Sequence, residues 1–165
     1  MIAALVAAAV PWLTPLSFGL HNPGWYTGRS GTVSTTVGRR HAPIPMSTAW
    51  ASNVRYHDRA TSDPPNNTLQ HFPSSGVVVW GAIQTGGWPP GGRRISVDYS
   101  LADAYRFPCC EAAYIGGGEW ELYGFGPRRA YSVLVRIYWG SPPTPRMRRA
   151  ATRAIHALRL PAARS

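Results

Sequence analysis

A chain of 165 residues has room for one domain with a real core and not comfortably for two. Hydrophobic residues at 44% and aromatics at 12% exclude a disordered chain, and 17 Gly with 16 Pro favour short strands and turns over long helices. The net charge of +10 is carried by Arg with no Lys anywhere, the usage of a very GC-rich genome, and no RNP, helix-turn-helix or zinc-finger pattern accompanies it, so charge alone does not indicate nucleic acid.

Residues 1–20 contain no charged side chain. Ile2, Leu5, Val6 and Val10 stand among alanines in an apolar run that Pro11 and Pro15 interrupt. The run is too short for a membrane span of about 20 residues. It also lacks the basic segment that opens a signal peptide, although Ala7-Ala8-Ala9 fits a cleavage site. The expectation is an apolar leader over 1–20, a truncated signal peptide or membrane anchor, followed by a single β-rich domain over 21–165; the alternative for this segment is a short buried helix or arm packed on the domain. A true start at Met1 would instead place the protein in the cytoplasm.

Residues 31–37 alternate Val33, Thr35 and Val37 against Thr32, Ser34 and Thr36, the pattern of an edge strand. From 38 to 75 the periodicity fails. Pro43-Ile44-Pro45, Asp63-Pro64-Pro65 and Phe72-Pro73 punctuate the stretch, which reads as one long loop. Asn66-Asn67-Thr68 within it matches a glycosylation sequon, a triplet frequent by chance.

Val77-Val78-Val79-Trp80-Gly81-Ala82-Ile83 is apolar on both faces and predicts a central strand. Ile95, Val97 and Tyr99 alternate with polar neighbours in a further strand, and 101–105 suits a short helical turn. Residues 119–123 predict a strand ending at Gly124. Tyr131, Val133, Val135, Ile137 and Trp139 form one apolar face of a strand whose other face reads as half covered.

The last element is a helix over 145–158. Thr144 suits the N-cap and Pro145 the first helical position, where a missing N–H costs nothing. Met147, Ala151, Ala154, Ile155 and Leu158 make one stripe, and Arg148, Arg149, Arg153, His156 and Arg159 fill much of the remainder. The fold class expected is mainly β (α+β): an antiparallel sheet or β-sandwich-like domain covered by this one C-terminal amphipathic helix.

Glu119 and Glu121, two apart on a strand, point to one face roughly 7 Å apart, within the range of paired glycosidase carboxylates. Trp120 points to the opposite face, so a sugar could not stack beside them. A solvated pair answered by Arg128 or Arg129 is the preferred reading, and a cell-envelope glycan hydrolase the alternative. Adjacent Cys109 and Cys110 read as two thiols near Phe107-Pro108, or as a strained vicinal disulfide with a redox role. His21, His41, His57, His71 and His156 show no ligand spacing, and His57-Asp58 meets no G-x-S-x-G. The glycine-rich stretches lack the residues of a nucleotide loop, so neither metal nor cofactor is implied. Arg148, Arg149, Arg153 and Arg159 are the candidates for contact with an acidic partner or lipid headgroups.

Thr48-Ala49-Trp50-Ala51-Ser52-Asn53-Val54, Gly76-Val77-Val78-Val79-Trp80 and Val135-Arg136-Ile137-Tyr138-Trp139-Gly140 together resemble uncharacterised exported or membrane-anchored proteins of high-GC actinobacteria. In those proteins a similar strand ends in Tyr-Phe-Gly and feeds a C-terminal helix; Trp139 stands here in place of the Phe. The resemblance spans roughly 31–160 and implies an extracytoplasmic β domain without transferring any catalytic residue. The functional expectation is a non-enzymatic extracytoplasmic domain, tethered or secreted, that contacts a protein or envelope component. An anionic-polymer or nucleic-acid binder using its arginines is a further alternative.

Overall fold

The computed structural model describes residues 16–20, 24–36, 43–56, 72–84, 93–94, 101–107, 116–125 and 131–161. The domain is mainly β, as the alternation predicts. Its strands are β1 (Ser17–Phe18), β2 (Tyr26–Thr36), β3 (Pro43–Ser52), β4 (Val77–Gln84), β5 (Arg93–Arg94), β6 (Tyr105–Phe107), β7 (Glu119–Phe125), β8 (Ser132–Trp139) and β9 (Leu158–Arg159). A 3-10 turn spans Leu101–Asp103, and the helix α1 runs Pro145–His156.

The larger sheet has the order β2-β3-β4-β8-β7, with β5 and β6 both on the outer edge of β7. All its pairings are antiparallel except the two-residue contact of β5 with β7. β4 and β8 lie at the centre, where a strand must be apolar on both faces. Every residue of β4 is buried, and every residue of β8 but Arg136. The second face of β8, expected to be half covered, is closed as well: Leu134 and Tyr138 are buried on it.

α1 packs on the face formed by Ala49, Ala51, Val77, Val79, Ile83, Val133, Val135 and Ile137. Met147, Ala151, Ala154 and Ile155 supply its inner stripe, and the alanines let the helix lie close. Burial of such apolar surface contributes roughly 25 cal/mol per Å2. The N-terminus is built as its sequence requires, with Pro145 opening the helix and Met147 N–H donating to Thr144 Oγ1 at 3.3 Å. The helix stops at His156, short of the expected 158. Leu158 and Arg159 turn instead into β9.

Three expectations are corrected. The long loop over 38–75 contains β3, a ten-residue strand next to the sheet edge. The edge strand begins five residues earlier than its alternation suggested, at Tyr26 rather than 31. The leader boundary at residue 20 also fails, because residues 16–20 belong to the domain. Ser17 and Phe18 pair with Arg159 and Leu158, Leu16 N–H donates to Ser47 Oγ at 3.1 Å, and Gly19 N–H donates to the Ala157 carbonyl at 2.8 Å. Leu16 is fully buried over Gly81 of the central strand, where a Cβ would lie 3.1 Å from Leu16 Cδ2. The missing side chain on β4 is what admits Leu16 and Leu158 side by side. Tyr131 secures the tail, its hydroxyl donating to the Pro161 carbonyl at 2.6 Å, and burial pushes its phenol up to about 12.

Residues 1–15, 57–71 and 95–100 lie outside the described residues, and with them the leader proper, the sequon and the strand expected around Val97. No helix among the described residues is long and apolar enough to cross a membrane.

Candidate functional site

The face of the sheet opposite α1 carries the unexpected chemistry. Antiparallel register places Trp50, Trp80, Arg136 and Glu121 in one transverse row across β3, β4, β8 and β7. Gly28 on β2 ends the row; a Cβ there would sit 2.5 Å from the Trp50 ring, so the bare backbone lets the indole lie across it. In the adjacent row Tyr138 stands beside Glu119. Trp50 and Tyr56 meet edge to face at 5.0 Å, and the Arg136 guanidinium lies 5.7 Å from the centre of the Trp80 ring.

Arg136 joins both carboxylates. Its Nε is 2.9 Å from Glu121 Oε1 and 3.2 Å from Glu119 Oε1, while the Tyr123 hydroxyl donates to Glu121 Oε2 at 2.7 Å. Glu119 and Glu121 are 1% and 0% exposed. They are therefore not the solvated pair expected, and their partner is Arg136 on the neighbouring strand; Arg128 and Arg129 lie outside the described residues. Burying two carboxylates without a cation is costly, and the one guanidinium between them offsets part of that cost. Tyr138 alongside is pushed well above the usual phenol range. Burial is the main cause, the Arg136 charge opposes it, and Glu119 and Tyr56 add to it.

Sequence reasoning missed Arg136, yet a signal was present. It is the single charged residue of a strand otherwise suited to the interior. Counting back across the β7–β8 hairpin, from Phe125 opposite Ser132, places it opposite Glu121. Trp120 does point to the other face, where it meets Trp139 edge to face at 5.5 Å.

On the helix side the four candidate arginines do not form one patch. Arg148 lies over the Trp120 ring at 5.1 Å and donates to the Pro143 carbonyl, so it is engaged on the β7 flank. Arg149 and Arg153 are exposed. Arg159 sits on β9 with its guanidinium against Gly19, which has no side chain to obstruct it. Arg146, which the sequence reading passed over, shares the opposite flank with Arg153 and Ala150.

That flank borders a half-open groove of about 860 Å3, walled by α1, the approach to β2 at Trp25, and the turn at Ser74 and Ser75. The turn is held by Asn53, whose Nδ2 donates to the Ser75 carbonyl at 2.9 Å and whose Oδ1 accepts from Val77 N–H at 2.7 Å. The wall is thus fixed by the same strands that make the core.

Cys109, Cys110, His21, His41, His57 and His71 lie outside the described residues. His156, on the last turn of α1, is exposed. Among the described residues no group of three His, Cys, Asp or Glu side chains is placed to hold a metal ion. The site and fold define the chain as a mainly β domain closed by one cationic helix. No protein-family model matches it, and no curated protein or solved structure does either.

Proposed function

We propose that this is a non-enzymatic extracytoplasmic domain, tethered or secreted, that contacts a protein or cell-envelope component through the cationic side of α1. The observation that carries the reading is the division of charge. The carboxylates that would serve a hydrolase are buried on Arg136, whereas Arg149 and Arg153 project from a helix that has no acidic residue. A glycan has no access to Glu119 or Glu121 while both side chains stay buried, which weighs against the hydrolase alternative. For a position outside the cytoplasm, the support is the uncharged apolar segment that precedes Leu16 in the sequence.

The test is co-sedimentation of the full chain with purified bacterial cell envelopes at physiological salt. The wild-type chain is expected in the pellet, and Arg149→Glu with Arg153→Glu should reduce the bound fraction about tenfold, as for opposed charge at an interface. Equal sedimentation of both proteins, or none of either, contradicts the proposal. Binding to heparin or DNA that persists above roughly 0.3 M salt would favour the anionic-polymer alternative, since counterion-driven contact fades there.

A further inference from the structure

The groove beside α1 has a shape and a charge that select a ligand. Its volume of about 860 Å3 falls within the range of sites that enclose a ligand, and it is open along one side. Trp25 and Ala150 add apolar surface to a lining that is mainly polar, and Arg146 and Arg153 line it from α1. Ser74, Ser75 and Thr144 add hydrogen-bonding groups between them. No carboxylate lines it among the described residues. A half-open groove with two cations along one wall suits an extended chain that bears acids, because a compact anion would engage one arginine and leave the other unanswered.

Spacing refines the ligand further. Arg146 and Arg153 are seven residues apart on one helix, about 10.5 Å along its axis. In a polyproline-type chain, residues three apart point the same way at about 9 Å, close to that interval. We infer that the groove binds an extended segment of a partner protein carrying acidic side chains three residues apart, with one acid on Arg146 and the next on Arg153. Extended segments of this kind have little conformational entropy left to lose, which favours binding to a preformed wall. This deepens the docking proposal and rests on it.

The experiment uses a fluorescein-labelled peptide of repeating Glu-Pro-Pro units, titrated with the full chain and followed by anisotropy. The Gln-Pro-Pro peptide is the uncharged control. Saturable binding of the acidic peptide is expected, with at least tenfold weaker binding of the Gln peptide. Arg146→Glu and Arg153→Glu should each weaken the acidic peptide about tenfold. Arg106→Glu makes the same charge change on β6, at the opposite side of the sheet, and should change it less than twofold. Equal losses with Arg106→Glu, equal binding of the Gln peptide, or no binding of the acidic peptide would each overturn the inference. Envelope sedimentation of the same variants separates the two proposals. Retained envelope binding with no peptide binding removes the groove ligand and leaves the docking reading standing. Saturable peptide binding by a wild-type chain that does not sediment with envelopes does the reverse.

Discussion

Arg136→Met lowers the stability of the domain by about 3 kcal/mol, which for a chain of this size is a fall of about 6–12 °C in melting temperature. The replacement keeps the apolar stem of the side chain but removes the guanidinium that lies over the Trp80 ring. What is lost is the cation between Glu119 and Glu121, two carboxylates that have almost no access to water. Adding Glu119→Gln and Glu121→Gln to the same chain should restore at least half of the loss, because the uncompensated charge is then gone. Urea unfolding followed by tryptophan fluorescence reads both steps. A single variant within about 0.5 kcal/mol of wild type, the range of ordinary surface changes, would mean that the guanidinium does not hold the buried pair.

Leu16→Ala costs about 4 kcal/mol, in the upper part of the range for a fully buried leucine, where the site cannot collapse. Collapse is prevented because the floor below it is Gly81, which has no side chain to move into the space. The same geometry gives the sign of a coupling. Gly81→Ala brings a Cβ to 3.1 Å from Leu16 Cδ2 in the intact core and should destabilise it. In the Leu16→Ala background the methyl fills vacated volume and should recover about 1 kcal/mol. Thermal or urea denaturation of the four proteins completes the cycle. Additive effects, or a Leu16 variant as stable as the parent, would show that residues 16–20 pass over the domain without belonging to it.

What was legible in the sequence follows from how strongly each element states its period. Val77 to Ile83 is apolar on both faces because it is central, and α1 announces itself through Thr144, Pro145 and a stripe at three- and four-residue intervals. β3 was hidden because its core-facing residues are Ala49 and Ala51, too small to mark a face, and because Pro43 and Pro45 read as turn residues. Those prolines are tolerated because Pro43 is the first residue of the strand and Pro45 precedes Met46, where its register with β4 begins. Residues 16–20 were hidden for a different reason. Composition cannot separate an apolar leader from apolar residues that pack, and only the pairing of Ser17 and Phe18 with the chain end distinguishes them.

The candidate site was legible in its parts and not in its assembly. Glu119, Glu121 and the outward arginines were visible as residue types. The pairing that decides their roles depends on register between strands, which places Arg136 across from Glu121, and on the turn of α1, which sends Arg148 to Trp120 and Arg153 to the groove. Arg146 went unmarked because a cation in the first helical turn is unfavourable by itself and stands out only once the facing wall is known.

The division between internal carboxylates and external cations can be measured directly by carbodiimide labelling with a nucleophilic amine, read by peptide mass spectrometry. In the folded chain Glu119 and Glu121 should remain unmodified while urea exposes both to complete labelling. Modification of either in the native protein at the rate seen in urea would contradict the burial on which the non-catalytic reading stands.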